Sequence, residues 1–225
     1  MIRKINAGQS IAASFFITLT LALGFVFIEP LVTRAIEDQF TVTQVITSEI
    51  SFVTPTSDLT MNGSIAGLTG GVSYGSTTVR IFTNDTSGFT ATIKASSSPA
   101  MQGNVAGTIA DYTPATTGIP DYAYSVPSGE EFGFTVSGSS TTFMAQKFLD
   151  DGASVCNSAG GVDTSTSATC WMGLSTTATS TLVSNTYTAA SGATSTIVWR
   201  LTVSPNSSVP EGTYVSTSTI TAVTN

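Results

Sequence analysis

The sequence predicts a mainly β protein: an N-terminal hydrophobic α-helix followed by an antiparallel β-sandwich. Three observations carry that expectation. The run Ile11 to Ile28 holds no charged residue, and as a helix it would span about 27 Å, close to the hydrocarbon thickness of a bilayer. Beyond residue 40, short segments alternate apolar residues with Thr or Ser between clusters of Gly, Pro and Asn, the period-two pattern of half-buried strands. Only 9% of residues are charged while 41% are hydrophobic, and recurring Val, Ile, Phe and Tyr separate this composition from that of a disordered chain. The expected organisation is a basic leader over 1–8, a transmembrane or filament-core helix over 9–39, and a β-sandwich surface domain over 40–225.

Composition narrows the chemistry. Fourteen acids against seven bases give a net charge of −7, and after residue 40 only Arg80, Lys94, Lys147 and Arg200 are basic. A nucleic-acid partner needs clustered Lys and Arg to displace counterions, so that class is not expected. The chain has no histidine, which removes Ser-His-Asp and Cys-His catalysis and the commonest zinc ligand. No enzymatic activity, metal or other cofactor is expected. Cys156 and Cys170 lie in a loop rich in Ser, Thr, Gly and Asp, without metal-site spacing. In an exported chain they are expected to form a disulfide; in a reducing compartment they would stay unpaired thiols.

The N-terminal region admits three readings. Arg3 and Lys4 before the apolar run place the leader inside and the remainder outside, at the cell surface. A cleaved secretory signal would need a shorter core and an A-x-A-like site, whereas Thr33-Arg34-Ala35 carries a charge in its middle. A plain membrane anchor is the second reading. The third rests on a resemblance. Gly8-Gln9 after Arg3-Lys4, directly before the apolar run, resembles the leader junction of type IV pilins and of archaeal pilins and archaellins.

That resemblance covers about the first forty residues and implies cleavage between Gly8 and Gln9. It also implies a helix whose Phe15, Phe16, Leu19, Leu23, Phe27 and Pro30 pack in a filament core. Pro30 lacks an amide hydrogen and would weaken the turn before it. Ala13 departs from the bacterial pattern, which places a glutamate there; the archaeal relatives lack that glutamate and carry a β-sandwich head.

From Phe40-Thr-Val-Thr-Gln-Val45 the period changes to two, marking entry to the surface domain. Ile50–Val53 and Leu59–Met61 read as short strands. The segments 77–83 and 89–95 read as a hairpin across Asn84–Gly88, with Val79, Ile81 and Thr83 on one face and Phe89, Ala91, Ile93 and Ala95 on the partner's. Residues 96–121 carry Pro99, Pro114 and Pro120 and read as a long connection. Strands are expected at 122–126, 132–136, 196–203 and 213–223, while 143–149 fits a strand or a helical turn. Pro205 to Gly212, leading into Thr213-Tyr214, resembles the turn before the closing strand of Ig-like and pilus-type surface domains. Short strands so spaced argue for an Ig-like or jelly-roll sandwich.

Few constellations could carry chemistry. Glu130 and Glu131 are adjacent, so on a strand they face opposite ways and cannot act as a pair. Asp150, Asp151, Asn157 and Asp163 could gather oxygen ligands for calcium, but fit no EF-hand spacing. Asn62, Asn84 and Asn206 match the N-glycosylation pattern. Trp171 reads as loop packing sooner than as a sugar-stacking face, and Trp199 as core. The expected function is a structural subunit of a pilus-like filament or surface layer, self-associating through its N-terminal helix, its strand edges, or both. Phe40–Val53 and the C-terminal strand are the expected contact segments, because edges poor in charge are poorly defended against pairing. The alternative is a membrane-anchored adhesin that binds surface glycans.

Overall fold

A computed structural model describes residues 14–19, 37–126, 128–138, 143–158, 169–184 and 188–225. The chain divides into two units, Met1–Val45 and Ile46–Asn225.

In the first unit Ser14–Leu19 is helical, with Thr18 Oγ1 donating back to Ser14 O at 2.5 Å. No helix among the described residues is long and apolar enough to cross a membrane. The long N-terminal apolar helix of the expected layout is therefore not what is found. Phe15, Phe16 and Leu19 are exposed on the short helical stretch; Gly8, Gln9, Leu23, Phe27 and Pro30 lie outside the described residues. Residues 37–45 take no regular secondary structure and join no ladder among the described residues, so the strand expected at Phe40–Val45 is not found.

The second unit is mainly β, but it is not the expected purely antiparallel sandwich. Its eleven strands are β1 (Ile50–Thr54), β2 (Gly71–Thr83), β3 (Phe89–Ala95), β4 (Met101–Gly103), β5 (Thr108–Asp111), β6 (Glu130–Gly138), β7 (Met172–Gly173), β8 (Thr179–Ser184), β9 (Thr188–Val203), β10 (Tyr214–Ser216) and β11 (Ser218–Thr224). Eight of them form one curled sheet in the order β1-β2-β9-β6-β5-β4-β10, with β7 also pairing β6, and three form a second sheet, β11-β3-β8. One pair, β5 with β6, is parallel.

The faces predicted for 77–83 and 89–95 are the buried ones, but the hairpin is absent. β2 pairs β1 and β9, whereas β3 pairs β11 and β8. The loop Asn84–Gly88 is thus an arch between sheets, closed by a Gly88 amide bond to Asp85 O and by Asp85 Oδ1 accepting from Ser87 N. Val79 and Ile81 meet Phe89 and Ala91 across the layers, in a cluster with Ala193. The reason is ladder length. β2 runs against β9 from Gly71↔Val203 to Ile81↔Ala193, many more backbone bonds than a seven-residue hairpin arm offers. Gly192, at φ +66°, absorbs the register shift that follows; a Cβ there would meet Ile81 O at 3.0 Å.

The main core lies between the two sheets. Phe132, Phe134 and Val136 of β6, Ile197 and Trp199 of β9, Ile93 of β3 and Phe148 pack together. Phe134 sits 5.6 Å from Phe148 and 5.7 Å from Trp199, in tilted arrangements favoured by aromatic quadrupoles. Three expectations from the sequence fail locally. The long connection 96–121 contains β4 and β5, and neither 59–61 nor 122–126 forms a strand. Residues 146–148 form a 3-10 turn.

Candidate assembly surface

The C-terminal segment sets up the site. β10 and β11 are consecutive, separated only by Thr217, yet β10 ends the large sheet against β4 while β11 ends the small one against β3. Thr213–Asn225 contains no charged residue. Thr217 O accepts from Ser96 N, and Asn225 N donates to Gly88 O. In an unbroken antiparallel ladder the bonds alternate, so the odd-numbered residues bond β3. The amides and carbonyls of Ser218, Ile220, Ala222 and Thr224 then face the open side. The same alternation turns their side chains half inward and leaves Thr219, Thr221 and Val223 exposed.

An open groove of about 1000 Å³ runs beside that edge. Tyr214, Ser216, Ser218 and Ile220 form one wall, and the loop carrying Leu59 and Met61 forms the other. Behind the lining lie buried residues of the main core, Ile93, Met101, Ile109, Phe132, Ile197 and Trp199, while Asp58 and Glu211 also border the groove. Ser216 Oγ is buried without a hydrogen-bond partner among the described residues. Such an orphan carries a desolvation cost that a partner group would relieve.

The opposite edge of the large sheet is β1. Phe52 and Val53 are exposed on it, and its entry is pinned at Asn84, which accepts from Glu49 N at 2.7 Å and donates to Thr47 O at 3.1 Å. Asn84, one of the glycosylation-pattern asparagines, therefore has its side chain engaged.

The other candidates from the sequence resolve differently. Cys156 and Cys170 form a disulfide, with Cα atoms 5.6 Å apart. Both half-cystines belong to the main core, and such bonds persist in oxidising compartments such as the extracellular space. Asp150 is buried, accepting from Gly152 N and from Thr169 Oγ1. Asp151 accepts from the amides of Ala153, Ser154 and Val155. Those amides, Val155 first, hold its carboxyl down at about 2. Both acids thus serve loop backbone; Asp163 lies outside the described residues, and no group of three metal-ligating side chains occurs among the described ones. Glu130 Oε2 accepts from Ser207 Oγ, while burial raises the Glu131 carboxyl.

Trp171 is 2% exposed and offers no stacking face. It belongs to a satellite cluster that the sequence did not announce. Tyr112 and Tyr124 stack at 4.3 Å, Trp171 meets Tyr124 edge-on at 5.2 Å, and the Arg200 guanidinium lies 4.5 Å from the Tyr124 ring and 5.3 Å from Tyr74. Burial, and then the bond to Asp121, push the Tyr112 phenol up to about 12; burial likewise raises Tyr124. These contacts close the large sheet's other face and present no reactive group.

Comparison with protein-family models, with curated proteins and with solved structures finds no match to this chain.

Proposed function

We propose that this protein is a structural subunit of a cell-surface assembly, in which copies associate through the edges of their sheets. The observation that carries the reading is the C-terminal edge. Eleven consecutive residues, Tyr214–Thr224, supply β10 and β11, the outer strands of both sheets, without a charge or a proline. Natural edge strands are normally protected by such devices, because an unprotected edge templates pairing with another chain. The disulfide supports an exported, oxidising location. A filament and a surface lattice both follow from edge pairing.

The test is the form of the protein recovered from its native surface, imaged by electron microscopy and followed by mass spectrometry of the mature N-terminus. Long filaments or sheets built of this chain are the expected result. A monodisperse monomer that shows saturable glycan binding would overturn the reading in favour of an anchored adhesin.

A further inference from the structure

We propose that the segment Phe40–Ile46 of one copy inserts as an added strand into the groove beside Tyr214–Ile220 of the next copy. This rests on the reading of the chain as a self-assembling subunit, and names the contact that would join its members.

Four observations converge on it. First, Phe40, Val42, Val45 and Ile46 are 86%, 81%, 75% and 83% exposed, four large apolar side chains within seven residues. Exposed apolar groups scattered singly need no explanation, but a contiguous set marks a surface awaiting a partner. Second, the segment belongs to no ladder among the described residues. Among the described residues, 37–46 make no backbone hydrogen bond, and the only side-chain bond there is Gln44 Nε2 to the adjacent Val45 O. A strand with both edges unpaired is the complement of an edge with one side unpaired.

Third, the dimensions agree. The groove wall supplied by the C-terminal strand runs from Tyr214 to Ile220, and Phe40 to Ile46 is the same number of residues; each would extend about 23 Å. Fourth, the chemistry agrees. Both segments are uncharged, the groove lining mixes Ser and Thr with apolar side chains such as Leu59, Met61 and Ile220, and Phe40, Val42 and Ile46 would share one face of an extended chain. The outward amides and carbonyls of Ser218 and Ile220 would bond the incoming backbone, the main-chain pairing that gives β-strand addition its affinity. Because Thr47 and Glu49 are tied to Asn84, the donor begins immediately outside the pinned entry to β1.

Cross-linking and dispersal test the proposal on the full-length chain. Two variants that each add one cysteine beside the native disulfide, Val42→Cys and Ser216→Cys, are mixed and mildly oxidised; a disulfide-linked dimer found only in the mixture is expected. A chain carrying both changes should give a ladder of covalent multimers. Val42→Asp and Ser218→Pro should each reduce the assembled fraction at least tenfold with the thermal midpoint unchanged, since the Ser218 amide faces away from β3. Thr219→Pro, which removes an amide bonded to β3, should instead lower that midpoint.

If Val42→Asp and Ser218→Pro assemble like the wild type and the mixture gives no cross-link, strand insertion is overturned while self-assembly stands. A compact, internally cross-linked monomer from the double-cysteine chain overturns it too, by showing that the segment fills its own groove. A wild type that stays monomeric at every concentration removes the assembly reading itself.

Discussion

Reduction of the Cys156–Cys170 disulfide should destabilise the folded unit by about 3 kcal/mol, the chain-entropy value for a closed loop of about fifteen residues. Cys170 is wholly buried and Cys156 nearly so, both within the main core, so the cross-link closes the loop between two anchored positions. For a domain of this size each 1 kcal/mol moves the thermal midpoint by about 2–4 °C, so a fall of about 6–12 °C is expected. The assay is paired urea and thermal unfolding of oxidised and reduced protein, read by circular dichroism. The double variant Cys156→Ala/Cys170→Ala should lose more than reduction does, because it also deletes two buried sulfur atoms and leaves small cavities. Midpoints within about 1 °C of each other for oxidised and reduced protein, against the 6–12 °C derived from loop closure, would refute the reasoning. The loop would then be held by its packing and by Asp150, and not by the covalent bond.

Phe134→Ala should cost about 3–5 kcal/mol in urea unfolding, as expected for a fully buried aromatic, whereas Phe40→Ala, exposed in the single chain, should change it by less than about 0.5 kcal/mol. Gly133→Ala should cost about 1–3 kcal/mol, because a Cβ there would lie 2.9 Å from both Tyr112 Cβ and Tyr124 Cε2; disordering of the aromatic resonances by NMR would confirm the site of strain. The Asp151 carboxyl, with its folded value lowered from 3.8 to about 2, contributes stability that is fully present above its unfolded value. That contribution is lost as pH falls from about 4 to about 2. An NMR titration should place its midpoint near the lower figure, and Asp151→Asn should flatten this part of the acid-unfolding curve.

Local pattern and global pairing parted company in this chain. Alternation alone identified the buried faces of β2, β3 and β9, including Val79, Ile81, Phe89, Ile93, Ile197 and Trp199, because a strand's two faces are set by its own period and one of them must leave water. The cysteine spacing in an otherwise polar loop was enough to expect the disulfide. The uncharged C-terminal strand was legible as an undefended edge for the same reason: its composition is a property of the segment itself.

Partner choice was not legible. The arch at Asn84–Gly88 carries every local mark of a hairpin, and only the availability of β9, more than a hundred residues downstream, makes pairing elsewhere the better outcome. The groove had no sequence signal at all, since its floor, its two walls and the orphaned Ser216 hydroxyl come from segments that meet only when both sheets form. Nor could alternation at Phe40–Ile46 reveal that those residues join no ladder among the described residues. A residue's face is decided by its neighbours in sequence; what lies against that face is decided by loop closure and by competition among all the strands that could pair, and those are properties of the whole fold.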